Sequence, residues 1–202
     1  MPLLIRTYLF FTFIFSALSY LIIYVRLWRG KEDQDRFKEK LGEYERARPN
    51  SKLIWFHGAS VGETLSIIGL IKEITKINDK LEFLITSGTN TSSQVLSMRM
   101  PKNAMHQFVP IDTPIAVKSF LKHWRPDFAI WVESEVWPRL LIETAKTKIP
   151  MWMVNGSMSL RSYKKWRYAP LSMQYLYNKF EKIYLRDERS AGFLNQLGLS
   201  SE

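Results

Sequence analysis

From Lys52 onward the chain alternates short β-rich apolar runs with amphipathic stretches, and this alternation restricts its fold more than any other feature. The strand candidates are Lys52–Phe56 (KLIWF), Leu81–Ile85 (LEFLI), His106–Val109, Asp127–Val132 (DFAIWV), Pro150–Val154 (PMWMV) and Lys182–Leu185 (KIYL). Helical spacing occupies the intervals near Glu63–Ile77, Ser92–Met98, Pro114–Trp124, Val136–Thr147 and Met173–Phe180, and again at Glu188–Leu197. Parallel strands cannot be joined by tight hairpins, so strand–helix alternation predicts βαβ crossovers and a parallel sheet covered on both faces. The expected class is therefore an α/β, Rossmann-like, doubly wound domain over residues 51–202.

Two segments precede it. Nineteen residues, Thr7 to Val25, carry no charge. At about 1.5 Å per residue they nearly match a hydrocarbon core of about 30 Å, so residues 1–30 read as a membrane-anchor helix with flanks. Tyr8, Tyr20 and Tyr24 lie near its ends, as in an interfacial belt. A signal peptide would have a shorter apolar run followed by a small-x-small cleavage site. A buried helix, or one lying in the membrane surface, is the competing reading. Arg6 stands alone before the run, whereas Arg26, Arg29, Lys31, Arg36, Lys38 and Lys40 crowd the other side. That asymmetry predicts a cytoplasmic main domain and attraction to anionic lipid. Residues 31–50 are highly charged and read as a short amphipathic or solvated connector. Their Asp33-Gln34-Asp35 matches D-x-D in form, but not in context for a metal site.

A net charge of +10 implies an anionic partner without choosing which. No nucleic-acid recognition motif accompanies it. Cysteine is absent, which excludes disulfides, thiolate metal sites and a cysteine nucleophile. His57, His106 and His123 lack metal-ligand spacing, so no metal is expected.

In a doubly wound sheet the working residues sit at the carboxyl ends of strands. The loop after the first strand reads H-G-A-S-V-G-E (His57–Glu63). Its glycines, Gly58 and Gly62, permit tight turns and close approach of a ligand. Glu63 falls at a helix start, as a general base or simply as a first-turn acid. The loop is neither a dinucleotide fingerprint nor a Walker A loop. After the fourth strand, V-E-S-E-V-W-P (Val132–Pro138) places Glu133 and Glu135 two apart, with helix capping around Ser134 as the plainer reading. Beyond Asn155-Gly156-Ser157, the stretch Ser159–Tyr168 interleaves Arg161, Lys164, Lys165 and Arg167 with aromatics. It suits a phosphate, a base stack, a membrane surface or plain solvation.

Six motifs in order carry a resemblance: Ile54–Glu63 (IWFHGASVGE), Thr86–Ser92 (TSGTNTS), Pro110–Pro114 (PIDTP), Trp124–Asp127 (WRPD), Val132–Pro138 (VESEVWP) and Asn155–Ser162 (NGSMSLRS). Together they resemble the N-terminal domain of 3-deoxy-D-manno-octulosonic acid (Kdo) transferases of the GT-B fold, across nearly the whole chain. The resemblance implies transfer of Kdo from CMP-Kdo to a lipid A precursor (lipid IVA) in lipopolysaccharide biosynthesis. It implies Glu63 as general base and Glu133 as transition-state stabiliser, with no cofactor or metal. Ser60, Gly62, Thr89, Arg161, Lys164 and Lys165 are the acceptor-binding candidates. The expected setting is the cytoplasmic side of a Gram-negative inner membrane. The family's donor-binding C-terminal domain has no counterpart in these 202 residues. The expectation is thus an acceptor-binding half, incomplete by itself, with a non-catalytic membrane-bound remnant as the alternative.

Overall fold

The computed structural model describes residues 1–58, 61–133 and 136–199. Its centre is a sheet of six parallel strands: β1 (Leu53–His57), β2 (Glu82–Ser87), β3 (Ala104–Phe108), β4 (Phe128–Val132), β5 (Met151–Gly156) and β6 (Lys182–Leu185). They lie in the order β3-β2-β1-β4-β5-β6, the doubly wound arrangement the alternation predicts. The crossovers are α3 (Val61–Ile77), α4 (Asn90–Arg99), α5 (Pro114–Trp124), α6 (Pro138–Lys146) and the pair α7 (Leu160–Trp166) and α8 (Pro170–Tyr177). The helix α9 (Glu188–Gln196) follows β6.

Side chains of each central strand alternate between two cores. Leu53, Trp55, Leu84, Ala129, Trp131 and Met153 face the α5, α6 and α8 side, where Phe120, Leu140 and Leu176 meet them. Phe56, Phe83, Ile85, Ile130 and Val132 face the other way, onto Ile67, Ile71 and Leu96 of α3 and α4. Both faces being dry explains why these strands read as continuous apolar runs rather than alternating ones. Trp55 packs on Trp131 at 4.8 Å and on Phe120 at 4.9 Å between ring centroids, so aromatic rings meet within the larger core.

The amino-terminal segment departs from expectation. In place of one anchor helix there are two, α1 (Leu3–Ile14) and α2 (Ser16–Trp28), bent by 64° at Phe15. Among the described residues no single helix is long and apolar enough to cross a membrane; only the bent pair matches by length and composition. The bend has a local cause. Thr12 Oγ1 donates to the Leu9 carbonyl at 3.2 Å, and Ser16 Oγ to Phe13 O at 2.8 Å. Hydroxyls that bond back to the preceding turn in this way bend helices. The Arg139 guanidinium, reaching from α6, also donates to Leu9 O and Thr12 Oγ1. On α1, Ile5, Tyr8, Leu9 and Thr12 share one face at helical spacing. Ile5 and Leu9 join the larger core, and Tyr8 and Thr12 hydrogen-bond to the domain. The opposite face, with Phe10, Phe13 and Ile14, is exposed.

The charged segment 31–50 is also more than a solvated connector. Around a short 3₁₀ turn, Phe37–Leu41, it lies along the open edge of β3. Arg36 donates to the His106 carbonyl, and Glu39 accepts from the Phe108 amide, so side chains satisfy an edge that another strand would otherwise cover. Asp33 Oδ1 accepts the amides of Asp35 and Arg36; the first D-x-D aspartate caps its own turn.

Candidate functional site

The sheet order reverses between β1 and β4, and at such a switch point the two flanking loops diverge and leave a crevice. The strands pair there in register, His57 beside Trp131. One loop leads to Glu63 and the other begins with Glu133, so the two candidate carboxylates flank the crevice.

Glu63 lies in the first turn of α3 and is only 6% exposed. A solvated first-turn acid would be open to water; this one is enclosed. Gly58 makes the room for it. A Cβ built on Gly58 would lie 3.1 Å from Glu63 Cβ, 3.0 Å from Ile67 Cδ1 and 3.5 Å from Glu63 Oε2. The close approach predicted at this glycine is therefore that of Glu63 itself.

Glu133 sits immediately past β4 with φ of +63°. For a side chain with a Cβ this left-handed conformation costs about 1–2 kcal/mol. Strain of this kind at a strand terminus is kept where the surroundings over-determine it, and functional sites collect such residues. The surroundings here are the end of β5. The Glu133 amide donates to Val154 O at 2.9 Å, and Asn155 Nδ2 lies 3.4 Å from Glu133 Oε1. Asn155 is left-handed as well, at φ +56°.

Behind the crevice His57 is fully buried, its ring 6.5 Å from that of Trp137. Its Nδ1 is 3.0 Å from Thr86 Oγ1, which also accepts from Trp55 Nε1. Burial pushes His57 down to about 4, so it is neutral at pH 7.

The remaining candidates separate. Thr89 is the N-cap of α4, its Oγ1 accepting from the Ser92 amide. Gly62 is exposed in the first turn of α3. Arg161, Lys164 and Lys165 all project into solvent from α7, beyond the carboxyl end of β5, around an open hollow shared with Leu160 and Tyr168. Ser60 lies outside the described residues, as do Ser134 and Glu135. Among the described residues no cluster of three His, Cys, Asp or Glu could hold a metal ion.

Two polar groups escaped the sequence reading. Asp112, in the P-I-D-T-P motif, caps α6 by accepting the amides of Arg139 and Leu140 at 2.9 and 2.7 Å, and it accepts the Tyr8 hydroxyl at 2.6 Å. Burial raises its carboxyl above the usual carboxylate range. Lys40, buried, donates to the Gly88 carbonyl at 3.0 Å and to Glu32. Neither was legible, because each joins segments far apart in the chain. An aspartate between two prolines, shortly after a strand, was the only local hint.

The class defined by the fold is an α/β domain with a six-stranded parallel sheet, similar to the folds of GT-B glycosyltransferases. Solved structures agree on the fold alone. A UDP-GlcNAc 2-epimerase from Neisseria meningitidis bound to UDP-GlcNAc superposes with a TM-score of 0.53 at 16% identity, over 74% of this chain and 44% of that one. The sequence places it further: residues 35–202 match the 3-deoxy-D-manno-octulosonic-acid transferase family, and the chain belongs to that family. The 3-deoxy-D-manno-octulosonic acid transferase of Rickettsia bellii is 37% identical over 98% of this chain, and that of Rickettsia prowazekii 33% over 94%. The chain spans 47% and 50% of the length of these two relatives.

Proposed function

We propose that this chain is the acceptor-binding half of an enzyme that transfers Kdo from CMP-Kdo to lipid IVA, a lipid A precursor. The observation that carries this reading is the pair Glu63 and Glu133 at the switch point, one enclosed against Gly58 and the other held in a strained conformation. Glu63 takes the proton from the acceptor hydroxyl as it attacks the anomeric carbon of Kdo. Such a base contributes about 10²–10⁴-fold when it is within hydrogen-bond reach of the hydroxyl. Glu133 stabilises the positive charge that develops on the sugar as CMP leaves. Arg161, Lys164 and Lys165 attract the phosphorylated acceptor, and Ser60, Gly62 and Thr89 are the further residues assigned to its binding. The chemistry requires no metal or further cofactor, and the donor is held by a C-terminal domain.

In the same reading the protein works at the cytoplasmic face of a Gram-negative inner membrane. The apolar face of α1 and α2 lies in the membrane surface instead of spanning it. The bend at Phe15 and the bonds from Arg139 to α1 support a surface position, because a helix held along the domain cannot also stand across a bilayer.

The test is Kdo transfer from CMP-Kdo to a tetra-acylated lipid A precursor in membranes. The chain is assayed alone and with a C-terminal half supplied in trans, with Glu63→Ala as control. Transfer that needs both halves and disappears with Glu63→Ala supports the assignment. Transfer that survives Glu63→Ala removes this residue as the base.

A further inference from the structure

The outer face of α2 forms a groove of about 350 Å³ with an apolar wall and a cationic end. Leu21, Ile22 and Val25 make the wall and are 57%, 50% and 40% exposed. Arg26, Arg29 and Lys31 make the end. Arg26 is ion-paired with the buried Glu32, which leaves its charge largely satisfied. Arg29 and Lys31 are exposed and have no ion-pair partner among the described residues. The helix carbonyls do not compete for them. Those of Val25, Arg26 and Leu27 accept the amides of Arg29, Lys31 and Gly30 as the chain turns out of the helix. Two unpaired cations beside an apolar wall match a phosphate dianion attached to an acyl chain, which a sugar, a nucleotide or a neutral lipid does not satisfy.

A second feature gives the groove a direction. Arg26 also borders a smaller cavity of about 180 Å³, whose other walls include Lys40, Gly88 and Trp137. Gly88 follows β2 and Trp137 precedes α6, so this cavity opens among the loops at the carboxyl ends of the strands. An amphiphile lying on α2 therefore has its polar end next to Arg26, which borders the loops after β2 and before α6.

We infer that the α2 groove is a subsite for a phosphorylated acyl lipid in the bilayer, with one acyl chain along Leu21, Ile22 and Val25 and a phosphate on Arg29 and Lys31. For the identity of that lipid as the acceptor, the assignment rests on the function proposed above. The basic helix α7 then has a separate role, as a general attractor on the far side of the crevice.

Co-sedimentation of the whole chain with vesicles tests this. One set is phosphatidylcholine with a bisphosphorylated tetra-acyl lipid A precursor; the other is phosphatidylcholine with phosphatidylglycerol at matched charge. The unaltered chain binds the precursor vesicles more tightly. Arg29→Ala with Lys31→Ala lowers binding to them by about tenfold or more. The equally charged change Lys118→Ala with Lys122→Ala on α5 leaves it nearly unaltered. The neutral change Leu21→Ser with Val25→Ser also weakens it, which a purely electrostatic attraction would not. All these side chains are exposed, and circular dichroism verifies the fold. Equal effects of the α2 and α5 charge removals overturn the subsite, as does displacement by millimolar inorganic phosphate with no effect of Leu21→Ser and Val25→Ser. If the unaltered chain binds both vesicle types alike, yet the α2 changes still weaken both, the groove stands as a phospholipid site and the acceptor reading fails.

Discussion

Asn155 and Glu133 stand side by side past the ends of two neighbouring strands, both left-handed, with the amide of one 3.4 Å from the carboxylate of the other. Asparagine tolerates this conformation and glutamate does not, so the cost falls on the residue proposed to act. Glu133→Gly is expected to raise stability by up to about 1 kcal/mol in urea unfolding, while abolishing transfer in the complete enzyme. Glu133→Gln keeps the strain and removes the charge; it should unfold at the unaltered midpoint and still lose transfer. A lowered stability for Glu133→Gly would mean that the conformation is not strained.

Gly58 is the position where the least added volume should do the most damage. Its missing Cβ is the space that Glu63 and Ile67 occupy. Gly58→Ala is expected to cost about 1–3 kcal/mol through overpacking, seen as a lower thermal midpoint. In the complete enzyme kcat should fall further than stability explains, because Glu63 is displaced.

Asp112 ties the first helix to the crevice. Asp112→Ala removes the cap of α6 and the Tyr8 hydrogen bond together, and about 2–3 kcal/mol of stability should go with them. Arg139→Ala removes the bonds to Leu9 and Thr12 but keeps that cap. It should leave the domain folded and make the α1–α2 segment more readily cut in limited proteolysis. An unaltered cleavage pattern would show that apolar packing through Ile5 and Leu9 alone holds α1.

Acid should unfold this protein earlier than its carboxylates alone would require. Burial lowers His57 from an ordinary 6.5 to about 4 and His106 to about 3, the latter with help from the Arg36 charge. Below pH 6.5 the unfolded chain takes up protons that the folded one refuses. The contribution of these two groups is therefore complete above pH 6.5 and is lost as pH falls toward 4 and then 3. The loss is on the order of 3 kcal/mol for His57 and 5 kcal/mol for His106. The thermal midpoint should fall steadily between pH 6.5 and 4, and His57→Gln should flatten part of that slope. A midpoint that is constant over this interval would contradict the burial of both rings.

How far the sequence carried the fold depended on how local each determinant was. All six strands were legible, because short apolar runs such as Lys52–Phe56 and Asp127–Val132 declare a strand dry on both faces within a few residues. Glu63 and Glu133 were legible as candidates for the same reason: each lies next to a strand end that its own segment defines. The start of α7 could have been read from Ser159, which caps it by accepting the Ser162 amide. The amino-terminal helix was misread over the same uncharged run that made it conspicuous. Length and hydropathy record that Thr7–Val25 can lie in lipid, but not that Thr12, Ser16 and Arg139 bend it at Phe15.

The sequence by itself therefore determined the α/β class, the succession of strands and the family, because those depend on pattern within short windows. Tertiary structure alone decided which strands meet at the switch point, and that Gly58 makes room for the Glu63 side chain. It also decided that Asp112 joins α1 to α6 and that the charged segment 31–50 closes the edge of β3. Each of these is a contact between groups distant along the chain, held by burial and by hydrogen bonds whose partners no local window contains.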